Sequence, residues 1–344
     1  MLDQVGLPDW ARVFPNTPDR NLSWRIGLSP RMKDNTMATL TETQFRRARD
    51  FVKAHARPID RALFEMSFEG APPERVLDEL AAFQNDDGGF GHAMEPDFRL
   101  RASSPMATSA GLHYAAEAGA AATTPLVRRA LAYLVDTLDR ENGFWHRTSI
   151  EVNDEPHAPW WHVAAPRPPS ADEWPHPSAE LLGYLYRWGS EVDRGLLESV
   201  SSRALWSLEN GPGPNSAHNM PCWQRVYPSL PTNLQAAVFA YLQAGVRVLE
   251  LPPRDEMRMI WLTPTPTSPI AQAAEGHPIR EYIGAEVQKQ SPDGSWQPNW
   301  QWGQYPEAWE VAKREWAGKI TVDVLRALKA WGLMGDGNPW HEVD

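Results

Sequence analysis

A seven-residue pattern occurs three times along this chain, and it limits the possible folds more than any other feature. Gln84-Asn85-Asp86-Asp87-Gly88-Gly89-Phe90 returns as Gln290-Ser291-Pro292-Asp293-Gly294-Ser295-Trp296 and, in weaker form, as Asp139-Arg140-Glu141-Asn142-Gly143-Phe144-Trp145. Each copy follows an apolar stretch of helical period and punctuates it in the same way. A polar residue ends the helix, Asp or Asn begins a turn, Gly takes a backbone conformation that a side chain resists, and an aromatic returns to the core. One structural unit is therefore repeated. A repeat that runs almost end to end through 344 residues favours one closed body over two unrelated domains.

The segments between these turns alternate in character. Thr41 to Gln44 carries a capping signal that predicts a helix to about Ala56, Pro58 interrupts it, and Ile59 to Phe68 continues as a second helix. Pro72-Pro73-Glu74 opens a helix with Val76, Leu77, Leu80 and Phe83 on one side and Arg75, Asp78 and Glu79 on the other. Ala107 to Ala118 leaves little polar surface, which marks an element surrounded by protein. One-sided stripes follow at Val127 to Leu138, 193 to 208 and Ile279 to Val287, whereas Ala179 to Trp188 and Leu234 to Val246 are apolar nearly all round. Arg254 to Trp261 and Ile320 to Trp331 supply two more helices, the last stopped by Gly332. Buried and amphipathic helices in alternation predict an inner ring within an outer ring. The expected fold is all-α: a single-domain α/α toroid over 41–335, with residues 1–40 as a proline-bearing tail or strap and 336–344 as a C-terminal tail.

Composition removes several function classes. A net charge of -11 lacks the basic footprint of a nucleic-acid binder, and a lone cysteine, Cys222, builds neither a disulfide framework nor a thiolate zinc site. No window approaches the ~18 apolar residues of a spanning helix, so no integral membrane segment is expected. The N-terminus shows no basic segment followed by an apolar core, which gives a cytoplasmic location as the expectation. Phosphate-cradling glycine loops and helical metal-ligand pairs are missing, so neither a cofactor nor a metal is expected.

The Gln-x-x-x-Gly-x-aromatic turns at Gln84 to Phe90 and Gln290 to Trp296 resemble the QW-type repeats of the squalene-hopene cyclase and protein prenyltransferase superfamily. Trp316-Ala317-Gly318, followed by Thr321, Leu325 and Leu328, is similar to the helix after such a turn. The resemblance covers about 40 to 335 as a repeat architecture. It implies an α/α toroid in which the glutamine caps helix ends and the aromatic packs between them. The chain departs from the cyclase motif: no Asp-x-Asp-Asp occurs, and Gln84-Asn85-Asp86-Asp87 comes nearest, with Gln in place of the first Asp.

Three stretches can carry chemistry. The first, Gly91 to Arg99, holds His92, Glu95 and Asp97 in an irregular link; burial of one acid would make a proton donor, the alternative being helix capping or arginine pairing. The second, Asn153 to His162, holds Asp154, His157, Trp160 and Trp161 in a proline-stiffened segment, with Asp154 the preferred donor and His157 its hydrogen-bond partner; a rigid surface loop is the alternative. The third is an aromatic run in which Trp296 and Trp316 occupy repeat positions, while Trp300 and Trp302 are free to line a cavity. Together with the resemblance these give the expected function: a terpene-cyclase-like enzyme, an isomerase or lyase, that cyclises an isoprenoid-like or largely apolar small molecule. Asp154, Asp97 or Glu95 starts the reaction as the acid, and Trp160, Trp161, Trp300, Trp302 and His92 line the site. A glycan-active α/α barrel using the same carboxylates, or a non-catalytic scaffold, are the alternatives.

Overall fold

The computed structural model describes residues 38–190, 192–211, 218–253 and 257–335. Almost all of the stretch read as an N-terminal tail, and the whole C-terminal tail, therefore lie outside the described residues. The chain is all-α. Among the described residues thirteen α-helices run in order: α1 (Glu42–His55), α2 (Pro58–Phe68), α3 (Glu74–Ala81), α4 (Pro105–Glu117), α5 (Pro125–Thr137), α6 (Pro175–Trp188), α7 (Arg194–Asn210), α8 (Asn219–Val226), α9 (Thr232–Val248), α10 (Met259–Leu262), α11 (Pro269–Ala273), α12 (Ile279–Gly284) and α13 (Pro306–Ala330). Among the described residues no strand forms; extended segments meet only at isolated pairs. No described helix is long and apolar enough to cross a membrane.

Proline and threonine set several helix starts. Six of these helices open on proline, whose missing N–H and fixed φ suit the first turn. At α1 the Thr41 hydroxyl accepts the Gln44 amide at 3.3 Å while Gln44 Oε1 accepts the Thr41 amide at 3.1 Å, a reciprocal cap.

Two of the repeated turns use their glutamine alike, and all three aromatics bond alike. The Gln84 amide donates to Gly88 O and to Leu126 O, both at 2.9 Å, and the Gln290 amide donates to Gly294 O at 2.9 Å and Gln44 O at 2.8 Å. Each glutamine thus closes its own turn and holds the first turn of a neighbouring helix. The returning aromatic then donates its backbone N–H to a hydroxyl of the following buried helix: Phe90 to Thr108 at 3.0 Å, Trp145 to Ser178 at 3.2 Å, Trp296 to Thr321 at 3.0 Å. Gly294 sits at φ +94, and a Cβ there would lie 2.3 Å from the Arg47 carbonyl oxygen; Gly88 bears the same relation, at 2.4 Å, to Arg129. Only glycine allows the turn to dock that closely.

These dockings have a direction. The turn after α3 lies on α5, the turn after α5 lies on α7, and the turn before α13 lies on α1. The last repeat therefore meets the first. Helix neighbours follow the same cycle: α2 packs on α3, α3 on α4, α4 on α6, α6 on α8, α8 on α10, α10 on α13, and α13 on α1 and α2. Leu40 N–H donates to Leu333 O at 2.9 Å and Gly335 N–H to Leu40 O at 2.9 Å, which ties the two ends of the described body together.

One expectation fails. Leu234 to Val246 does not lie surrounded by protein: α9 buries Leu234, Val238, Leu242, Gly245 and Val246 along one face only. Its remaining alanines and aromatics read as apolar in sequence yet cover the outer side. The buried element there is α8, whose Asn219, Gln224 and Arg225 disguised it; every residue of α8 except Arg225 is buried. α13 also begins well before Ile320, because Pro306 starts it upstream of the apolar stripe.

Candidate functional site

The first buried loop is shaped by strain that a buried arginine supports. His92 and Ala93 both adopt left-handed conformations, φ 53 and 59, which are costly for residues with a Cβ and concentrate at functional positions. Arg57, 7% exposed, donates to the Met94 carbonyl at 3.1 Å and to the Tyr114 hydroxyl at 3.1 Å, while its Nε donates to Asp60 at 2.8 Å. That buried pair pins the turn from α2 and α4 and delivers the next residue, Glu95, to a cavity of about 880 Å³. This volume is within the usual range for small-molecule sites.

The two acidic loops expected from the sequence do converge. Arg99 N–H donates to Pro156 O and Ala158 N–H to Asp97 O, both at 2.8 Å, so the loops pair edge to edge with Phe98 opposite His157. Asn153 clamps the second loop by bonding both the N–H and the C=O of Val163 at 2.9 and 2.8 Å, and Gln304 donates to His157 O at 2.6 Å. Glu95, Asp97, Trp160, Trp161 and Trp300 line the cavity. Trp160 is also 49% exposed, so the cavity reaches solvent beside it.

Other expected residues lie elsewhere. Asp154, the preferred donor, is exposed and does not line the cavity, and it makes no hydrogen bond to His157. His157 is buried instead against His162 and Tyr305, its Nδ1 bonded to Glu155 O at 2.7 Å. His92 is exposed and bonded to Asn85 Oδ1 at 2.8 Å. The sequence assigned these polar residues to a site because they stand beside tryptophans, but the loop turns them outward or into its own packing. Trp302, 2% exposed, stands behind the wall rather than in it.

What Trp302 does there is hold Asp97. One carboxylate oxygen, Oδ1, accepts the indole N–H of Trp302 at 2.8 Å, of Trp316 at 2.9 Å and, at a longer 3.4 Å, of Trp300. Glu95 Oε1 accepts the Asp97 amide at 3.2 Å. Burial, and then the neighbouring Asp97 charge, push the Glu95 carboxyl up to about 8. Burial also raises Asp97, while the Trp302, Trp316 and Trp300 donors pull the other way. The two acids titrate as a pair, and with the indole donors concentrated on Asp97 the shared proton resides on Glu95. Glu95 is thus the acid of the pair that burial raises towards neutrality, beside a carboxyl whose charged form the indoles favour.

The remaining walls are tryptophan and ion pairs. Trp300 and Trp316 meet edge to face at 5.2 Å, with Trp261 6.3 and 6.5 Å from them; Trp161 packs edge-on against Phe98 at 5.0 Å. The sequence puts Trp316 at a repeat position, which favours structural packing, and does not single out Trp261. It also missed the charged lining. Arg225 binds Glu180 at 2.7 Å, Lys319 binds Asp323 at 3.0 Å, and Arg326 binds Glu117. Burial opposes ionisation of Glu117, but Arg326, His113 and Lys319 hold it down to about 2; burial takes His113 down to about 4. The available signal was polar residues within helices otherwise apolar all round: His113 and Glu117 in α4, Glu180 in α6.

Among the described residues no group of three His, Cys, Asp or Glu is arranged to hold a metal ion. Cys222 is buried, and burial raises its thiol well above the ordinary range, which leaves it unreactive. No protein-family model matches the chain, and no curated protein or solved structure matches it.

Proposed function

We propose that the protein is an enzyme in which Glu95 donates a proton to a small substrate held against tryptophans inside a closed ring of helices. The ring is part of the proposal. It is supported by the helix neighbours that return from α13 to α1 and α2, and by the last repeat turn docked on the first helix; an open stack has no such contact. The observation that carries the function is a pair of acids at a cavity wall, Glu95 accepting the Asp97 amide at 3.2 Å, with burial raising the Glu95 carboxyl to about 8.

The lining favours one substrate class over the other. Cation chemistry on a hydrocarbon needs walls that exclude water and carry no competing charge. Here Arg147, Arg225, Lys319 and Arg326 share the cavity with Glu117 and Glu180. Such groups suit a hydroxyl-rich molecule, and tryptophan faces suit the apolar faces of sugar rings. A glycan-active enzyme therefore ranks ahead of an isoprenoid cyclase, which draws on the same acid and is favoured only by the Trp261, Trp300 and Trp316 cluster. In the favoured reading the Glu95 proton passes to the bridging oxygen as the glycosidic C–O bond breaks. Water then adds to the sugar carbon and returns a proton to the Glu95 carboxylate. Asp97 keeps the proton on Glu95 beforehand and stabilises the positive charge that develops on the ring.

The test is turnover of oligosaccharides and, in parallel, of polyprenyl substrates by the purified chain, read by mass spectrometry. Glu95→Gln is expected to lower kcat by about 100-fold or more, in the range of general acids, with its fold intact. Cyclised polyprene as the product would replace the glycan class, and unchanged kcat in Glu95→Gln would remove the acid assignment.

A further inference from the structure

We infer that Arg147 selects the substrate by binding a carboxylate on it, so that the ligand is an acidic, uronate-type sugar rather than a neutral one. Of the four cationic side chains that line the cavity, three are matched within the protein: Arg225 by Glu180, Lys319 by Asp323 and Arg326 by Glu117. Arg147 is not. Its Nε donates to the His176 carbonyl at 3.1 Å, and its two terminal nitrogens have no hydrogen-bond or carboxylate partner among the described residues. The acids closest to it in charge effect, Glu173 and Asp172, line the same cavity but bond other groups. Glu173 receives both terminal nitrogens of Arg167 at 2.9 and 2.8 Å, and Asp172 accepts the Ser170 hydroxyl at 2.5 Å.

A guanidinium anchored through Nε presents its other two nitrogens as a planar fork, the geometric complement of a carboxylate. The fork is held in a site where burial disfavours its charge, so an anionic guest restores what the fold withholds. Nearby His176 also lines the cavity and is kept neutral, first by burial and then by Arg147 itself. His176 therefore adds no charge of its own beside the fork. His176 packs 5.9 Å from Trp161, which in turn packs on Phe98 beside Asp97. Trp161 and His176 both line the cavity, so an aromatic wall runs from beside Arg147 towards the loop that carries Glu95.

This inference takes the ligand's sugar ring from the reading above and its charge from Arg147 alone. The test measures binding calorimetrically in the full chain carrying Glu95→Gln, which removes the proton donor. Three probes are compared: a galacturonate trisaccharide, the matching galactose trisaccharide and galactose 6-phosphate. The uronate is expected to bind about 10- to 100-fold more tightly than the neutral sugar, as a charge-assisted fork allows. Adding Arg147→Met should erase that preference while sparing the neutral sugar, and Arg147→Lys, which retains charge without the fork, should restore part of it. Equal affinities, a preference that survives Arg147→Met, or tighter binding of the phosphate each overturn the assignment. Uronate preference with no glycan turnover in the unmodified chain keeps Arg147 and sinks the catalytic reading; turnover of neutral glycans with no acid preference does the reverse.

Discussion

Glu95→Gln should flatten the dependence of stability on pH between about 5 and 8. In the unfolded chain this carboxyl returns to its ordinary 4.5, whereas in the fold burial and the Asp97 charge hold it at about 8. Between those values the folded protein keeps a proton that the unfolded chain has released, so stability falls as pH rises through the window and is fully present below it. At 1.36 kcal/mol per pH unit the gap corresponds to about 5 kcal/mol for an isolated group, and sharing the proton with Asp97 leaves about 2–3 kcal/mol assignable to Glu95. Gln cannot ionise, yet it still offers an acceptor to the Asp97 amide that Glu95 receives at 3.2 Å. Urea unfolding of both proteins at pH 5, 6, 7 and 8, with m-values compared, measures the effect. The two curves should run close at pH 5 and separate towards pH 8, with the variant the more stable there. Parallel curves over the whole range would refute the claim that the fold keeps Glu95 protonated.

Trp302→Phe removes one of the N–H donors that favour the Asp97 carboxylate, so Asp97 should rise further, moving the acid–carboxylate limb of the pH–rate profile upward at a stability cost of about 1–2 kcal/mol. Gly294→Ala and Gly70→Ala make a matched pair, since both glycines have positive φ but only Gly294 faces a backbone carbonyl. Thermal melts should give about 1 kcal/mol at Gly70 and about 3 kcal/mol or more at Gly294; equal costs would mean that the turn does not dock on α1. Asp154→Asn, at an exposed position, should change stability by less than about 0.5 kcal/mol and leave kcat unaltered.

The parts of this fold readable from sequence are those fixed by short-range chemistry. Gln84, Gly88 and Phe90 announce the same turn as Gln290, Gly294 and Trp296 because each acts within a few residues of itself. The alternation of helix types held for α3 to α6 for a similar reason, since a wet face needs charges at helical spacing. It broke at α8 and α9. A helix whose inner side meets a polar cavity must carry polar residues there, as Asn219 and Gln224 show, while the alanines of α9 cost little when exposed. The site divided along the same line. Glu95 and Asp97 stood out because a loop rich in acids is conspicuous. Their partners Arg57, Trp316 and Trp302 come from both ends of the chain, and nothing local marks them as neighbours. Asp154 stands outside the cavity, since sequence proximity to Trp160 and Trp161 says nothing about which side of a loop a carboxylate leaves from.

That Gln290 and Gly294 rest on α1 has a consequence for how such a chain can change. A linear array gains or loses a unit at its free end and keeps every other interface. In the proposed ring no described repeat is such an end, because deleting one unit would take away the surface that Gln290 and Gly294 meet on α1. A ring of that kind would hold its repeat number fixed and leave change to the loops between helices, where Glu95 and its neighbours reside.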